Sequence, residues 1–394
     1  MRCLWLSWAD TEPPHSGQLL YSGGLIEALG AAGAEVVVLA LHRPGSRRED
    51  GAREGGVVWR LVGGRSPSAA VSLGSRLPNI ARRCGTGEMR RALDGLLAQA
   101  RWDAIIFDGL SAGWALAPVL QHRIGHRATK LVYVSHNHET SMRSEIAARH
   151  PEPAKRLVLS WDAHKIGRLE RALVAAADLV TAITPEDLAL YRAQWPQKPL
   201  LVLTPGYRGR SLDRREMTAA LPRRAVIVGS FDWVAKQMNL EEFIRAADPI
   251  FTEQGIELQV VGKGEAGFIK RLARDLKATR FTGAVDAVER YLDGARIALV
   301  PERSGGGFKL KLLDYVFNRL PILALEGSCA GVPLKSEESI LLYPDQAALA
   351  RGVVRAIDGL DRLNRLQDTA YRVCRDGYDW PARGRRLLDA MAAA

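Results

Sequence analysis

Ile297-Ala298-Leu299-Val300-Pro301 runs directly into Glu302-Arg303-Ser304-Gly305-Gly306-Gly307, and a helical pattern follows over residues 308–317. An unbroken apolar run of this length suits a strand covered on both faces. The glycines end it, and a helix takes over. Strand, loop and helix in that order form the repeating unit of a parallel α/β sheet.

The same alternation extends in both directions. Apolar runs at residues 225–228, 258–261, 280–281 and 321–325 accompany helical patterns at 239–254, 267–276, 286–292, 309–317 and 346–357. An earlier series places strands at 3–7, 36–41, 104–107, 130–135, 179–183 and 200–203, with amphipathic stretches at 20–32 and 163–176. Residues 204–222 separate the two series. That stretch holds proline, glycine, Arg208, Arg210, Asp213, Arg214, Arg215 and Glu216, and it reads as an interdomain linker. The fold class is therefore α/β, with two Rossmann-like doubly wound domains. Such sheets bind ligands at the carboxyl ends of their strands, and two of them facing each other predict a central cleft.

The 394 residues are enough for two cores, and 47% hydrophobic with 25% charged residues is a globular balance. No run of 18 apolar residues is present, and the N-terminal apolar run 3–8 is too short for a leader, so a cytoplasmic enzyme is expected. Cys3, Cys84, Cys329 and Cys374 form no CxxC pair, which removes the usual zinc and redox motifs. The net charge of +11 reads either as a solvated arginine-rich surface or as attraction to nucleotide sugars, a lipid diphosphate or an acidic membrane. The basic stretch 208–224 lacks interleaved aromatics, so nucleic acid is not an expected partner.

Several loops carry chemistry. Gly305, Gly306 and Gly307 ahead of a helix let backbone N–H groups approach an anion, and Lys309 and Lys311 add charge. The rival reading is a plain loop before a helix. Gly229-Ser230 after strand 225–228, with Lys236 further on, suits a diphosphate; a surface lysine is the rival. Gly262-Lys263-Gly264-Glu265-Ala266-Gly267 matches a dinucleotide fingerprint, but a strand and a helix of its domain precede it, where the fingerprint normally comes first. In the first half, Gly17, Gly23 and Gly24 allow a close approach, or make an ordinary turn. His136, His138 and Glu139 end a strand. The two histidines lie only two residues apart in extended chain, so they read as groups lining the cleft rather than as metal ligands. No nucleophile elbow or Walker pattern occurs.

With these motifs in place the sequence resembles the retaining glycosyltransferases of the GT-B fold, glycosyltransferase family 4 in particular. Residues 177–184 are similar to the segment near the end of that family's first domain, and Thr204-Pro205-Gly206 keeps the glycine of its interdomain signal. The resemblance implies an acceptor-binding domain at 1–205 and a nucleotide-sugar donor domain at 206–375, with a last helix in 376–394 packing back on the first. Lys236 then contacts the donor diphosphate, and Ser230 stands where relatives place arginine. Gly262 belongs to the family's "VVG-x-G" strand end, and Val285 to the loop that holds the base. Asp314 takes the second acid of the E-x7-E pattern and bonds ribose hydroxyls. Gly306 occupies the place of the first acid, so Lys311, Phe308 and the backbone of Gly305–Gly307 are left to hold phosphate and sugar. His136, with His138 as the alternative, faces the sugar from the first domain.

The implied reaction is hexose transfer from a nucleoside diphosphate sugar to a hydroxyl, lipid-linked or saccharide, with retention of configuration. The family-level setting is surface-glycan or glycolipid assembly. Lysines and helix-terminal N–H groups would stabilise the departing diphosphate without a metal or other cofactor. Peripheral contact with the inner membrane face fits the charge. Three other readings stay open: a nucleotide-sugar epimerase using Asp108, His136 and Glu139, a dinucleotide-dependent oxidoreductase, and a catalytically silent partner of a transferase.

Overall fold

Runs of Val, Ile and Leu without polar interruption become strands buried on both faces. β1 (Arg2–Leu6), β2 (Glu35–Leu41), β3 (Arg53–Glu54), β4 (Val57–Val62), β5 (Ala104–Asp108), β6 (Lys130–Val134), β7 (Leu179–Ala182) and β8 (Leu200–Val202) form one sheet. β9 (Arg224–Val228), β10 (Glu257–Val261), β11 (Thr279–Phe281), β12 (Ile297–Val300), β13 (Ile322–Leu325) and β14 (Leu341–Tyr343) form another. This computed structural model describes all residues except 15, 65, 66, 69, 70, 73, 151 and 303–306. The chain divides into two compact units, Met1–Gly206 with Asp379–Ala394, and Tyr207–Tyr378.

Among the described residues the first sheet has the order β3-β4-β2-β1-β5-β6-β7-β8, parallel throughout except for the β3–β4 pair. The second has the order β11-β10-β9-β12-β13-β14 and is wholly parallel. Apart from the antiparallel β3–β4 pair, each order reverses once, between β1 and β5 and between β9 and β12. Parallel strands force crossover connections, and the helices that make them cover the sheets. β5 and β12 are buried along their whole length. Each buried Val, Leu or Ile contributes roughly 1.5–3 kcal/mol relative to exposure.

Three strands, β3, β4 and β14, have no counterpart in the sequence reading. β4 sits near the sheet edge beside β3, so its burial alternates and Arg60 faces out. β14 is only three residues long. The helix predicted at 163–176 starts earlier, as Pro153–Ala176, because its first turns are exposed and carry no apolar stripe.

Residues 204–222 are not a free linker. Within the second unit, Arg210 pairs with Asp293 at 2.9 Å, Arg215 donates to the Leu292 carbonyl at 2.8 Å, and Met217 is buried in the core. Two of the charges that marked a linker, Arg210 and Arg215, anchor the stretch to that unit. The last helix, Trp380–Ala393, belongs to the first unit. There the Trp380 indole packs against Gly24 and Gly206, and Gly384 meets the Ala28 backbone. A side chain at any of these glycines would collide, so their lack of a Cβ is used for helix packing. Gly24 is thus filled by the unit's own tryptophan.

Candidate functional site

Ligands of doubly wound sheets gather where the strand order reverses, beyond the strand carboxyl ends. In the second unit that place lies beyond β9 and β12. β9 leads into Gly229 and Ser230, and the helix Val234–Gln254 follows with Lys236 in its first turn. β12 leads into Pro301 and Glu302, and Gln346 fixes this strand end by donating to the Pro301 carbonyl at 2.8 Å. Lys309 precedes the helix Lys311–Phe317, and Lys311 opens it.

Lys311 forms an ion pair with Glu302, and their side chains are only 13% and 8% exposed. A Cβ on Gly229 would lie 3.6 Å from the Lys311 ammonium, so the end of β9 and the start of this helix meet at that charge. Burial works against the Glu302 charge, but Lys311, Lys309 and Lys236 outweigh it and hold the carboxyl below its ordinary range. Burial, then the Lys311 charge, lowers Lys236, with Glu302 opposing. Burial also lowers Lys309, which Glu302 supports and Lys311 opposes. Lys311 is paired with this carboxylate, and the charges of Lys309 and Lys236 also act on it. Glu302 Oε2 is buried and has no hydrogen-bond partner among the described residues. A cluster with more cations than anions, sparingly hydrated, favours an added anion, because Coulomb attraction strengthens as water is excluded.

The sequence places the phosphate contact on Gly305 to Lys311. Gly305 and Gly306 lie outside the described residues. Gly307 has φ of 70°, in the left-handed region open to glycine. The helix begins at Lys311 rather than at residue 309, and Phe308 packs near Tyr378 with ring centroids 5.9 Å apart. Ser230 bonds Asp232 at 3.3 Å. Asp314 sits on the same helix as Lys311, one turn on. Burial raises its carboxyl to about 6, with Glu289 adding to the shift and Tyr207 opposing it. Val285 is half-buried beside this unit's core.

Gly262 has φ of 132°, and a Cβ there would strike the Gly229 carbonyl. Its N–H donates to the Gly283 carbonyl at 3.1 Å, and Gly229 N–H donates to Val261 at 3.0 Å. The glycine that begins the apparent dinucleotide fingerprint thus lets three loops of this unit lace together. Lys309 and Glu302 are the parts that sequence reasoning undervalued. Glu302 carries the same signal as the named residues, a polar side chain at the carboxyl end of a central strand.

In the first unit, the reversal between β1 and β5 gathers a different set. Asp108 at the end of β5 is fully buried. It accepts from Ser7 Oγ at 2.9 Å, Ser22 Oγ at 3.0 Å and His136 Nε2 at 2.7 Å. Burial opposes its charge, but the His136 and Ser22 bonds outweigh it and hold the carboxyl below its usual range. An ionised carboxylate only accepts, so the imidazole proton is on Nε2. His136 Nδ1 has no hydrogen-bond partner among the described residues. Gly109, with φ of 74°, leaves room for the His136 ring.

His138 is turned to another task. It caps the helix Glu139–Arg149, accepting from Ser141 N–H at 3.3 Å, and its ring lies 4.9 Å from Tyr191. Glu139 bonds Arg143 at 2.9 Å and is buried. Both are held by local structure, away from the group at Asp108. Gly17 is the exposed first residue of the helix Gly17–Ala31, which Ser16 caps. Among the described residues, no three His, Cys, Asp or Glu side chains converge as metal ligands, and no helix is long and apolar enough to cross a membrane.

Known proteins show matching patterns. The family described as "Glycosyl transferases group 1" matches residues 222–359, and that described as "Glycosyl transferase 4-like domain" matches residues 16–206. No curated protein matches the chain in sequence. Among solved structures, sucrose-phosphate synthase from Thermosynechococcus elongatus is similar over 100% of both chains, with 16% identity and a TM-score of 0.74. WaaG, a glycosyltransferase involved in lipopolysaccharide biosynthesis, aligns over 100% of both chains with 15% identity and a TM-score of 0.66. HepE of Anabaena, solved with UDP-glucose, also aligns over 100% of both, with 12% identity and a TM-score of 0.64. At such identities the likeness is one of fold.

Proposed function

We propose, for a chain that belongs to the GT-B glycosyltransferases of the family 4-like type, transfer of a hexose from a nucleoside diphosphate sugar to a hydroxyl with retention of configuration. The observation that carries this reading is the lysine cluster at the strand reversal of the second unit. Lys236, Lys309 and Lys311 around Glu302 offer a partly desolvated cationic site. The donor's phosphates take it. As the bond from the anomeric carbon to the phosphate oxygen breaks, negative charge grows on that oxygen, and fixed ammonium groups stabilise the change more than the ground state. Asp314 accepts from the ribose hydroxyls, and the loop containing Val285 holds the base.

The first unit, 1–205 with the last helix, selects the acceptor. His136, positioned by Asp108, has an Nδ1 without a partner among the described residues to offer an acceptor hydroxyl. The acceptor is a saccharide or lipid-linked hydroxyl, in surface-glycan or glycolipid assembly, with the enzyme cytoplasmic and peripheral on the inner membrane face. HepE, solved with UDP-glucose, supports a nucleotide-sugar donor for this fold.

Incubation with a panel of nucleotide sugars tests the proposal. Release of a nucleoside diphosphate together with a product whose anomeric proton matches the donor's configuration is the expected result. A new nucleotide sugar with no release would establish an epimerase, and an inverted anomer would remove retention.

A further inference from the structure

We propose that Glu302 sets the charge of the lysine cluster so that it prefers the intact nucleotide sugar to the nucleoside diphosphate left after transfer. This rests on the phosphate reading of the cluster given above.

Lys236, Lys309 and Lys311 carry three positive charges, and Glu302 cancels one of them. A nucleoside diphosphate sugar carries two negative charges, one on each phosphate, since both phosphates are diesters. Transfer forms the bond from the acceptor oxygen to the anomeric carbon and breaks the one from that carbon to the terminal phosphate oxygen, which keeps the electron pair. The acceptor's proton passes to the departing phosphate and then to water. A terminal phosphate has its second ionisation near pKa ~6, so the product gains close to one further negative charge at neutral pH. The cluster with Glu302 matches the donor. Without Glu302 it would match the product.

Two features make Glu302 a fixed part of this sum. Its side chain is 8% exposed and paired with Lys311, so water does little to screen it. Its Oε2 accepts no hydrogen bond among the described residues, so that oxygen keeps its charge for whatever enters the cluster. A carboxylate in this position admits two negative charges among the lysines and repels a third. The product is then released by the same residue that holds the cluster together.

The test compares binding of uridine, guanosine and adenosine diphosphates, and of their glucose esters, to the full-length native protein and to Glu302→Gln by titration calorimetry. The native protein is expected to bind at least one diphosphate. In Glu302→Gln the preference for that diphosphate over its sugar ester should rise at least about tenfold, as expected for one unit charge at close range. The double variant Glu302→Gln with Lys309→Met restores the native sum of two positive charges in the cluster, so it remains informative if the single variant does not fold. Its preference should return towards the native value. A preference that does not move in Glu302→Gln, or a double variant far from native, overturns the role of Glu302 alone. A native protein that binds none of the diphosphates overturns the phosphate reading, and this inference with it.

Discussion

The two sheets reverse their strand order at equivalent places, yet the groups beyond β1 and β5 and those beyond β9 and β12 follow opposite electrostatic plans. In the first unit one carboxylate, Asp108, is surrounded by hydroxyls and an imidazole that all donate to it. In the second, one carboxylate is outnumbered by three lysines. Among the described residues the first set is satisfied from within except at His136 Nδ1. The second keeps an excess of charge that asks for an anion. The same topology thus supplies a location, and the side chains decide what is attracted there.

The comparison breaks most readily at Lys311. Lys311→Ala removes the partner of a buried carboxylate as well as a phosphate contact. Nucleoside diphosphate affinity should fall about a hundredfold, near the upper range for a charge-assisted bond, as read by calorimetry. Retained affinity would mean that the excess charge is not for phosphate. Asp108→Asn should act on the other plan. It removes the charged acceptor of three donors and should lower stability by about 3 kcal/mol in chemical denaturation. Diphosphate binding should survive it, and equal loss of both would erase the distinction between the units.

Lys236→Ala should reduce turnover at least about tenfold, from the lower end of the ~1.5–3 kcal/mol given to charge-assisted contacts. Steady-state rates at saturating donor decide it. The last expected effect is on stability, at Asp314, whose carboxyl is raised to about 6. Between its ordinary value of 3.8 and about 6 the folded state binds the proton more tightly than the unfolded chain. Asp314 therefore favours the fold at low pH and takes stability away as pH rises through 6. Asp314→Asn should be more stable than native at pH 7 by on the order of 2 kcal/mol, with the gain vanishing near pH 4. Thermal melts at the two values read the difference.

Much of this was legible before any coordinates. Central strands announce themselves because burial on both faces leaves only apolar residues, as in β5 and β12. β4, next to the edge strand β3, escapes because alternate residues of it meet solvent. Lys236 and Lys311 could be named from their place after strands, and Asp314 from the family resemblance. What spacing cannot give is the direction of a side chain. His136 and His138 look equivalent in sequence, and only the structure turns one to Asp108 and the other to a helix cap. Glu302 escaped because a lone acid beside lysines looks like surface charge until its burial is known. The supposed linker misled because arginines bonded to carbonyls, such as Arg215, have the composition of solvated ones.

The packing of Trp380 against Gly24 and Gly206 has a consequence for biosynthesis. Residues 379–394 belong to the first unit but are translated after the whole of the second. A ribosome delivers the chain at about 5–20 residues per second, and domains tend to fold in the order they emerge. The first unit is thus begun first and completed last, and for the time it takes to translate the second unit its helix Gly17–Ala31 waits with the tryptophan's seat uncovered. That interval is when the nascent chain offers chaperones an apolar surface that the finished molecule hides.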